Sequence, residues 1–325
     1  MKKINMYFVG ECIIIVLLLV IIGLLLNGKG TESVNMSEEA VVVETEQNLV
    51  EETAYPVIQK VADIVSGKEI VEVNETTTEE AASDDNATAI SKELEGKKIV
   101  VFGDSIWNDA RGEDGISEYV QEGTGAMVYN CAIGGTTAAV VGADDSFDNW
   151  TSNSFNGMIY VARKLIPAEQ ILGEDEIVRD IIKQVDFNEM DYVIISYGLN
   201  DFFSDVSIFP NEYYELTNYV GALRNGIDKL KEHYPHLKII VVSPTYTKMF
   251  EGEKTFEIGD YVEAARSVAT ELNVEFLDMF HVLGNNAETR TKHLGDGVHM
   301  SSEGRKVYSD AVIRFLIELE AQSAE

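Results

Sequence analysis

The distribution of apolar positions divides the chain into three stretches. Residues 13–26 are apolar without a break except at Gly23. Counting back to Tyr7 gives about 20 positions, interrupted only by Gly10 and Glu11, which is long enough to span a bilayer. Residues 31–95 show no sustained period, apart from Val57, Ile58, Val61, Ile64 and Val65, whose helical spacing after Pro56 predicts a short helix within 55–73. From residue 96 onward, short runs rich in β-branched residues alternate with amphipathic segments.

The runs at 97–102, 127–132, 192–197, 238–242 and 274–277 read as five strands, most of them ending at or near Gly, Ser or Pro. Amphipathic segments at 213–234, 261–272 and 303–319 read as helices, the last one following an N-cap at Ser301. Strands that are apolar almost throughout, alternating with helices, predict an α/β domain over 96–325 with a parallel sheet covered on both faces. Ligands of such sheets bind beyond the carboxyl ends of the strands. The polar and glycine-rich residues following each strand are therefore the place to look for chemistry.

Charge sharpens the division. The 325 residues carry 25 Lys and Arg against 56 Asp and Glu, a net charge of −31. Nucleic acid is disfavoured as a partner, because phosphate binding depends on clustered Lys and Arg, and polyanionic polymers are repelled for the same reason. Residues 31–95 hold 17 acidic and three basic residues and almost no aromatics. That composition buries too little surface to offset its ordering entropy, and it reads as an acidic, largely disordered tether with a reach of roughly 45 Å.

Residues 1–30 set Lys2 and Lys3 ahead of the apolar run, and Asn27-Gly28-Lys29-Gly30 behind it in place of a small-residue cleavage pattern. They read as a cytoplasmic stub and an uncleaved transmembrane signal-anchor. The positive-inside bias then sets residue 30 onward outside the cytoplasm, with secretion after cleavage as the alternative. Cys12 precedes the apolar run and Cys131 lies in a strand, so no disulfide is expected.

Four pieces of candidate chemistry follow the strands and close the chain. Gly103-Asp104-Ser105-Ile106 puts a hydroxyl at a strand-to-helix turn; Asn130-Cys131-Ala132-Ile133-Gly134-Gly135 allows close backbone approach; Gly198-Leu199-Asn200-Asp201 offers a side-chain amide; and Asp296-Gly297-Val298-His299 sets an acid three residues before an imidazole. Together they supply a nucleophile, a base, an orienting carboxylate and three oxyanion donors.

In order and placement these pieces resemble the four blocks of the SGNH hydrolase family, the GDSL-like lipase-acylhydrolases, over residues 97–315. Ser105 matches the first block, Gly135 the second, Asn200 the third, and Asp296 with His299 the last. The resemblance implies a flavodoxin-like three-layer α/β/α sandwich around a mostly parallel five-stranded sheet, with no cofactor and no metal. It also implies a serine esterase with Ser105 as nucleophile, His299 as base and Asp296 as its orienter. The oxyanion hole is then made by the N–H groups of Ser105 and Gly135 and the Asn200 amide. The first block reads Gly-Asp-Ser-Ile rather than Gly-Asp-Ser-Leu, and the register from Asn130 favours Gly135 over its neighbour Gly134.

The 65 residues separating Gly135 from Asn200 are more than small members of the family use. The extra segment, 140–175, brings Trp150 and Phe155 as candidates for an apolar or sugar-stacking wall beside Ser105; an insertion packed on the sheet is the alternative. The expected activity is hydrolysis of carboxylic esters, with short acyl groups on a cell-envelope or extracellular glycan as substrate. Acyl transfer to a sugar hydroxyl uses the same residues. A lipase calls for a broad apolar lid, which the polar residues after Thr136 do not provide. A non-catalytic surface module is disfavoured because Ser105, Asn200 and His299 are all present.

Of the remaining histidines, His233 and His236 stand near a helix end, where a dipole-stabilising role is expected. His281 is read as having no acid at a telling spacing. His293, Asp296 and His299 lack the further carboxylates or cysteines of a metal site. Asp104 and Asp201 are expected to shape turns rather than transfer protons.

Overall fold

The computed structural model describes residues 93–141, 153–172, 176–247, 254–284 and 291–323. The anchor at 1–30, the tether up to residue 92 and Trp150 lie outside the described residues. Among the described residues no helix is long and apolar enough to cross a membrane.

Five strands form one sheet: β1 (Lys98–Gly103), β2 (Met127–Asn130), β3 (Tyr192–Ser196), β4 (Lys238–Val242) and β5 (Glu275–Leu277). Their order is β2-β1-β3-β4-β5, and every neighbouring pair is parallel. The sheet is thus wholly rather than mostly parallel. Ile99, Val100, Val101 and Phe102 of β1 are all 0% exposed. Successive side chains point to opposite faces, so layers cover the sheet on both sides. Each such side chain contributes about 1.5–3 kcal/mol on burial, which concentrates stability in the central strands. β2 lies on one side of β1, and β3 to β5 lie on the other. A crevice opens at such a switch point, beyond the carboxyl ends of β1 and β3.

Among the described residues the α-helices are α1 (Ser105–Asn108), α2 (Ile116–Thr124), α3 (Phe155–Ala162), α4 (Ala168–Leu172), α5 (Glu176–Ile182), α6 (Leu199–Phe203), α7 (Tyr219–His233), α8 (Ile258–Glu271), α9 (Met279–Leu283) and α10 (Ser302–Ser323). α10 packs on α2, while α7 packs on both α3 and α8. α7 starts at Tyr219, later than its periodicity suggests, because Asn218 accepts from the Gly221 N–H at 2.8 Å and caps it there. Tyr213 and Tyr214 stay partly exposed, their hydroxyls donating to Glu271 and Asp228. Ser301 does cap α10, its Oγ accepting from the Gly304 N–H at 3.1 Å.

Phe155 is not a wall beside Ser105. It is 0% exposed, with its ring 6.2 Å from that of Phe102 and 5.4 Å from that of Tyr197. Any side chain at Gly226 of α7 would come within 2.1 Å of its ring. The insertion packs α3 on the sheet here, and Phe155 fills the hole that Gly226 leaves.

Candidate active site

β1 ends at Gly103, and Asp104 turns the chain into α1 by accepting from the Ile106 N–H at 3.0 Å. Ser105 thereby becomes the first residue of α1, where a backbone N–H has no intrahelical acceptor. It finds none elsewhere among the described residues. The Ser105 Oγ lies 3.0 Å from His299 Nε2.

His299 sits on a tight loop closed by an antiparallel bridge between Leu294 and Met300. Val298 and Met300 are buried and pin this loop to the core. Asp296 Oδ1 accepts from the N–H groups of Val298 at 2.8 Å and His299 at 2.7 Å, while Oδ2 faces His299 Nδ1 at 2.8 Å. Burial works to raise the Asp296 pKa, but the bonds from the His299 ring and from both N–H groups outweigh it and hold the carboxyl down at about 2. The side chain is 57% exposed, so its grip on the imidazole rests on hydrogen bonds rather than on a dry environment. Arg305 of α10 secures the loop from behind, donating to the Met300 carbonyl at 2.7 Å and the Asp114 carbonyl at 2.6 Å and pairing with the Asp114 carboxylate.

The loop after β2 turns at Ile133–Thr136, with Gly135 at φ +77° in the third position. A positive φ there is what a type II turn requires of glycine. A side chain at Gly134 would lie 3.9 Å from Ser105 Cβ, so the turn adjoins the serine, and the Gly135 N–H has no partner among the described residues. Asn200, in α6, donates one amide hydrogen to the Thr136 carbonyl at 2.9 Å, and the other is left for a ligand. Asp201 is 0% exposed and accepts from the N–H groups of Ala138 and Ala139, both at 2.9 Å. Burial pushes its carboxyl up to about 6, and that of buried Asp104 up to about 7. Asp104 shapes its own turn, as its position suggests, whereas Asp201 reaches across to the loop after β2.

Two supports were not legible. The Arg111 guanidinium binds Asn108 Oδ1 and the carbonyls of Asn130 and Ala132. Buried Asn130 donates to the Trp107 carbonyl at 2.7 Å and accepts from the Ala132 N–H at 3.1 Å. Together they tie the first two blocks side by side. Only the asparagine left a signal, standing at a strand end where apolar residues prevail. Cys131 is buried, and burial pushes its thiol up to about 12, which removes it as a nucleophile.

Contrary to expectation, His281 does have an acid at a telling spacing. Asp278 stands three residues before it and binds it as Asp296 binds His299, with Oδ1 accepting from the backbone N–H at 3.0 Å and Oδ2 facing Nδ1 at 2.8 Å. This Asp caps α9 and also pairs with Arg266. The His281 side chain is 64% exposed, and among the described residues no serine hydroxyl meets its Nε2. Trp150 cannot be related to the site, since it lies outside the described residues.

A Ser–His–Asp hydrogen-bond chain at the carboxyl edge of a doubly wound parallel sheet is the arrangement of the serine acyl-transfer class. Residues 101–307 match the model of the GDSL-like Lipase/Acylhydrolase family, and the chain belongs to that family. A GDSL esterase/lipase from Oryza sativa subsp. japonica is 26% identical over 140 residues, covering 39% of this chain and 54% of the relative. One from Arabidopsis thaliana is 27% identical over 140 residues, covering 39% and 58%. The aligned region thus spans little more than half the length of these relatives. One solved structure aligns with TM-score 0.51 at 20% identity, covering 70% of this chain and 98% of that one. A solved protein from Lactobacillus plantarum aligns with TM-score 0.50 at 16% identity, covering 68% and 97%. At such identities the likeness is one of fold.

Proposed function

We propose that this chain is a serine carboxylesterase held outside the cytoplasm by an N-terminal membrane anchor, removing short acyl groups such as acetyl from a cell-envelope or extracellular glycan. The observation that carries the chemistry is the unbroken chain from Ser105 Oγ through His299 to Asp296, with links of 3.0 and 2.8 Å. His299 Nε2 takes the serine proton as Oγ attacks the ester carbonyl. The tetrahedral oxyanion is met by the N–H groups of Ser105 and Gly135 and by the second amide hydrogen of Asn200. Asp296 holds the tautomer with Nε2 unprotonated and stabilises the imidazolium that forms. The imidazolium then protonates the departing alcohol, and water, activated by His299, releases the acid and frees Ser105.

The anchor is supported by Lys2, Lys3 and the apolar run at 13–26. The glycan reading is supported by the reach of the acidic stretch that follows, and by the polar sequence after Thr136, which offers no broad apolar lid for lipid chains.

Turnover of p-nitrophenyl acetate tests the chemistry. Ser105→Ala abolishes it, and a variant that keeps its esterase activity overturns the assignment. Acetyl esters turn over faster than butyryl and longer ones; a preference for long chains removes the glycan reading. A rate of acyl loss that rises with added acceptor sugar identifies a transferase instead. Protease accessibility of the domain in intact cells tests the topology.

A further inference from the structure

β2 and β3 are not neighbours, since β1 runs between them. The loop after β2 and helix α6 after β3 nevertheless meet across the end of β1, where Thr136 also reaches the Gly103 carbonyl. Two consecutive residues of α6 make the junction. Asn200 donates to the Thr136 carbonyl, and Asp201 receives Ala138 N–H on Oδ2 and Ala139 N–H on Oδ1, all three bonds being 2.9 Å long. The bonds to Asp201 reach across 63 and 62 residues of sequence. An acid in the first turn of a helix commonly serves its own helix, but both oxygens of this one are spent on another segment.

We propose that Asp201 is a positioning residue for the oxyanion hole, its two-oxygen grip on Ala138 and Ala139 holding the Gly135 turn at a fixed distance from the Asn200 amide. This rests on the serine-esterase reading above. The turn itself is short and glycine-rich, with Gly135 exposed and open space where a side chain would be. Thr136 closes the turn on itself, its Oγ1 donating to the Ile133 carbonyl at 2.8 Å, and the clasp together with the Asn200 bond sets the turn's distance from α6. Donors that hold a developing charge act through preorganisation, so a displacement of a fraction of an ångström is costly. Burial raises the Asp201 carboxyl to about 6; above that pH it is ionised and both oxygens only accept, which two N–H donors require. An isosteric amide offers one acceptor oxygen and turns an NH2 toward the second N–H.

Asp201→Asn at pH 8 is the test, with melting temperature measured to establish folding. The kcat for p-nitrophenyl acetate falls about 10- to 100-fold, less than the full loss of one donor, while KM stays within about threefold. Combined with Asn200→Ala, the two losses multiply to less than their product, because both act on the same donors. Hydrogen exchange at Ala138 and Ala139 accelerates in Asp201→Asn whether or not the enzyme turns over. Unchanged exchange there overturns the clasp, and so does a folded variant with kcat within twofold of wild type or losses that multiply fully. A failure of the esterase reading shows separately, as turnover in Ser105→Ala or none in the wild type, and leaves the exchange result to decide the clasp. Should Asp201→Asn not fold, Asp201→Glu, which keeps the charge but displaces both oxygens, takes its place with the same split between kcat and KM.

Discussion

The side-chain amide of Asn200 gives one of its two hydrogens to the Thr136 carbonyl at 2.9 Å. The bond fixes the plane of the amide and so directs the remaining hydrogen. Asn200→Ala removes both donors, leaving the Thr136 carbonyl without its partner. We expect kcat to fall roughly 10²–10³-fold with little change in KM, the usual effect of losing one oxyanion donor. Steady-state kinetics on p-nitrophenyl acetate measure it, and a loss under about threefold would mean that the residue only braces the loop.

His281 and His299 make a matched pair for mutation. Each is held by an Asp three residues earlier through the same two bonds, yet only His299 reaches a serine hydroxyl. His299→Ala is expected to eliminate turnover. His281→Ala should leave kcat/KM within about twofold, because an imidazole without a nucleophile to deprotonate contributes no base catalysis. Comparable losses in both variants would contradict the assignment of the base.

Phe155→Ala should cost stability rather than affinity. The residue is 0% exposed and packed between Phe102 and Tyr197, and truncating a buried phenylalanine typically costs about 3–5 kcal/mol. Thermal melting should show a marked drop, with KM for soluble esters unchanged in the folded fraction. A raised KM at unchanged melting temperature would restore the residue to the substrate wall.

Stability should peak in mildly acidic solution. Burial raises the carboxyls of Asp104 and Asp201 to about 7 and about 6. Their ionisation therefore disfavours the folded state: stability is full below the ordinary carboxylate range, near pH 4, and is lost as pH rises through 6 and 7. Glu320 behaves oppositely, since hydrogen bonding from the Tyr192 hydroxyl and from Lys238 and Lys97 holds it at about 2 against its burial. Asp296 is likewise held at about 2, and what these two contribute is lost as pH falls toward 2. The melting temperature should be highest at roughly pH 4–6 and decline toward pH 8, and Asp104→Asn should flatten that decline. A melting temperature climbing steadily from pH 5 to 8 would refute this balance.

The strands were legible because each is a short apolar run bounded by turn residues, and β4 matches its expected span at Lys238–Val242. Ser105, Asn200 and His299 were legible because each sits in a recognisable motif at or beyond a strand end. Phe155 was misread because an aromatic in an insertion looks the same whether it faces a ligand or, as here, a glycine on a neighbouring helix. The start of α7 was misread because tyrosines continue an amphipathic period, while the cap at Asn218 decides where the helix begins. The pairing of Asp278 with His281 was overlooked although its spacing equals that of Asp296 with His299. That spacing alone distinguishes nothing: it serves a helix cap in one case and a serine in the other, and only the fold brings the serine. The clasp at Asp201 joins segments more than sixty residues apart and leaves no local pattern.

The contact between Ser105 and His299 closes a loop of 194 residues. Ser105 follows the first strand of the sheet, whereas Asp296 and His299 follow the fifth. Ser105 therefore meets its base only through tertiary structure, where Arg305 of α10 holds the Met300 end of the His299 loop. The nucleophile and its base are thus strangers in sequence, and any change that loosens the far end of the domain reaches the serine.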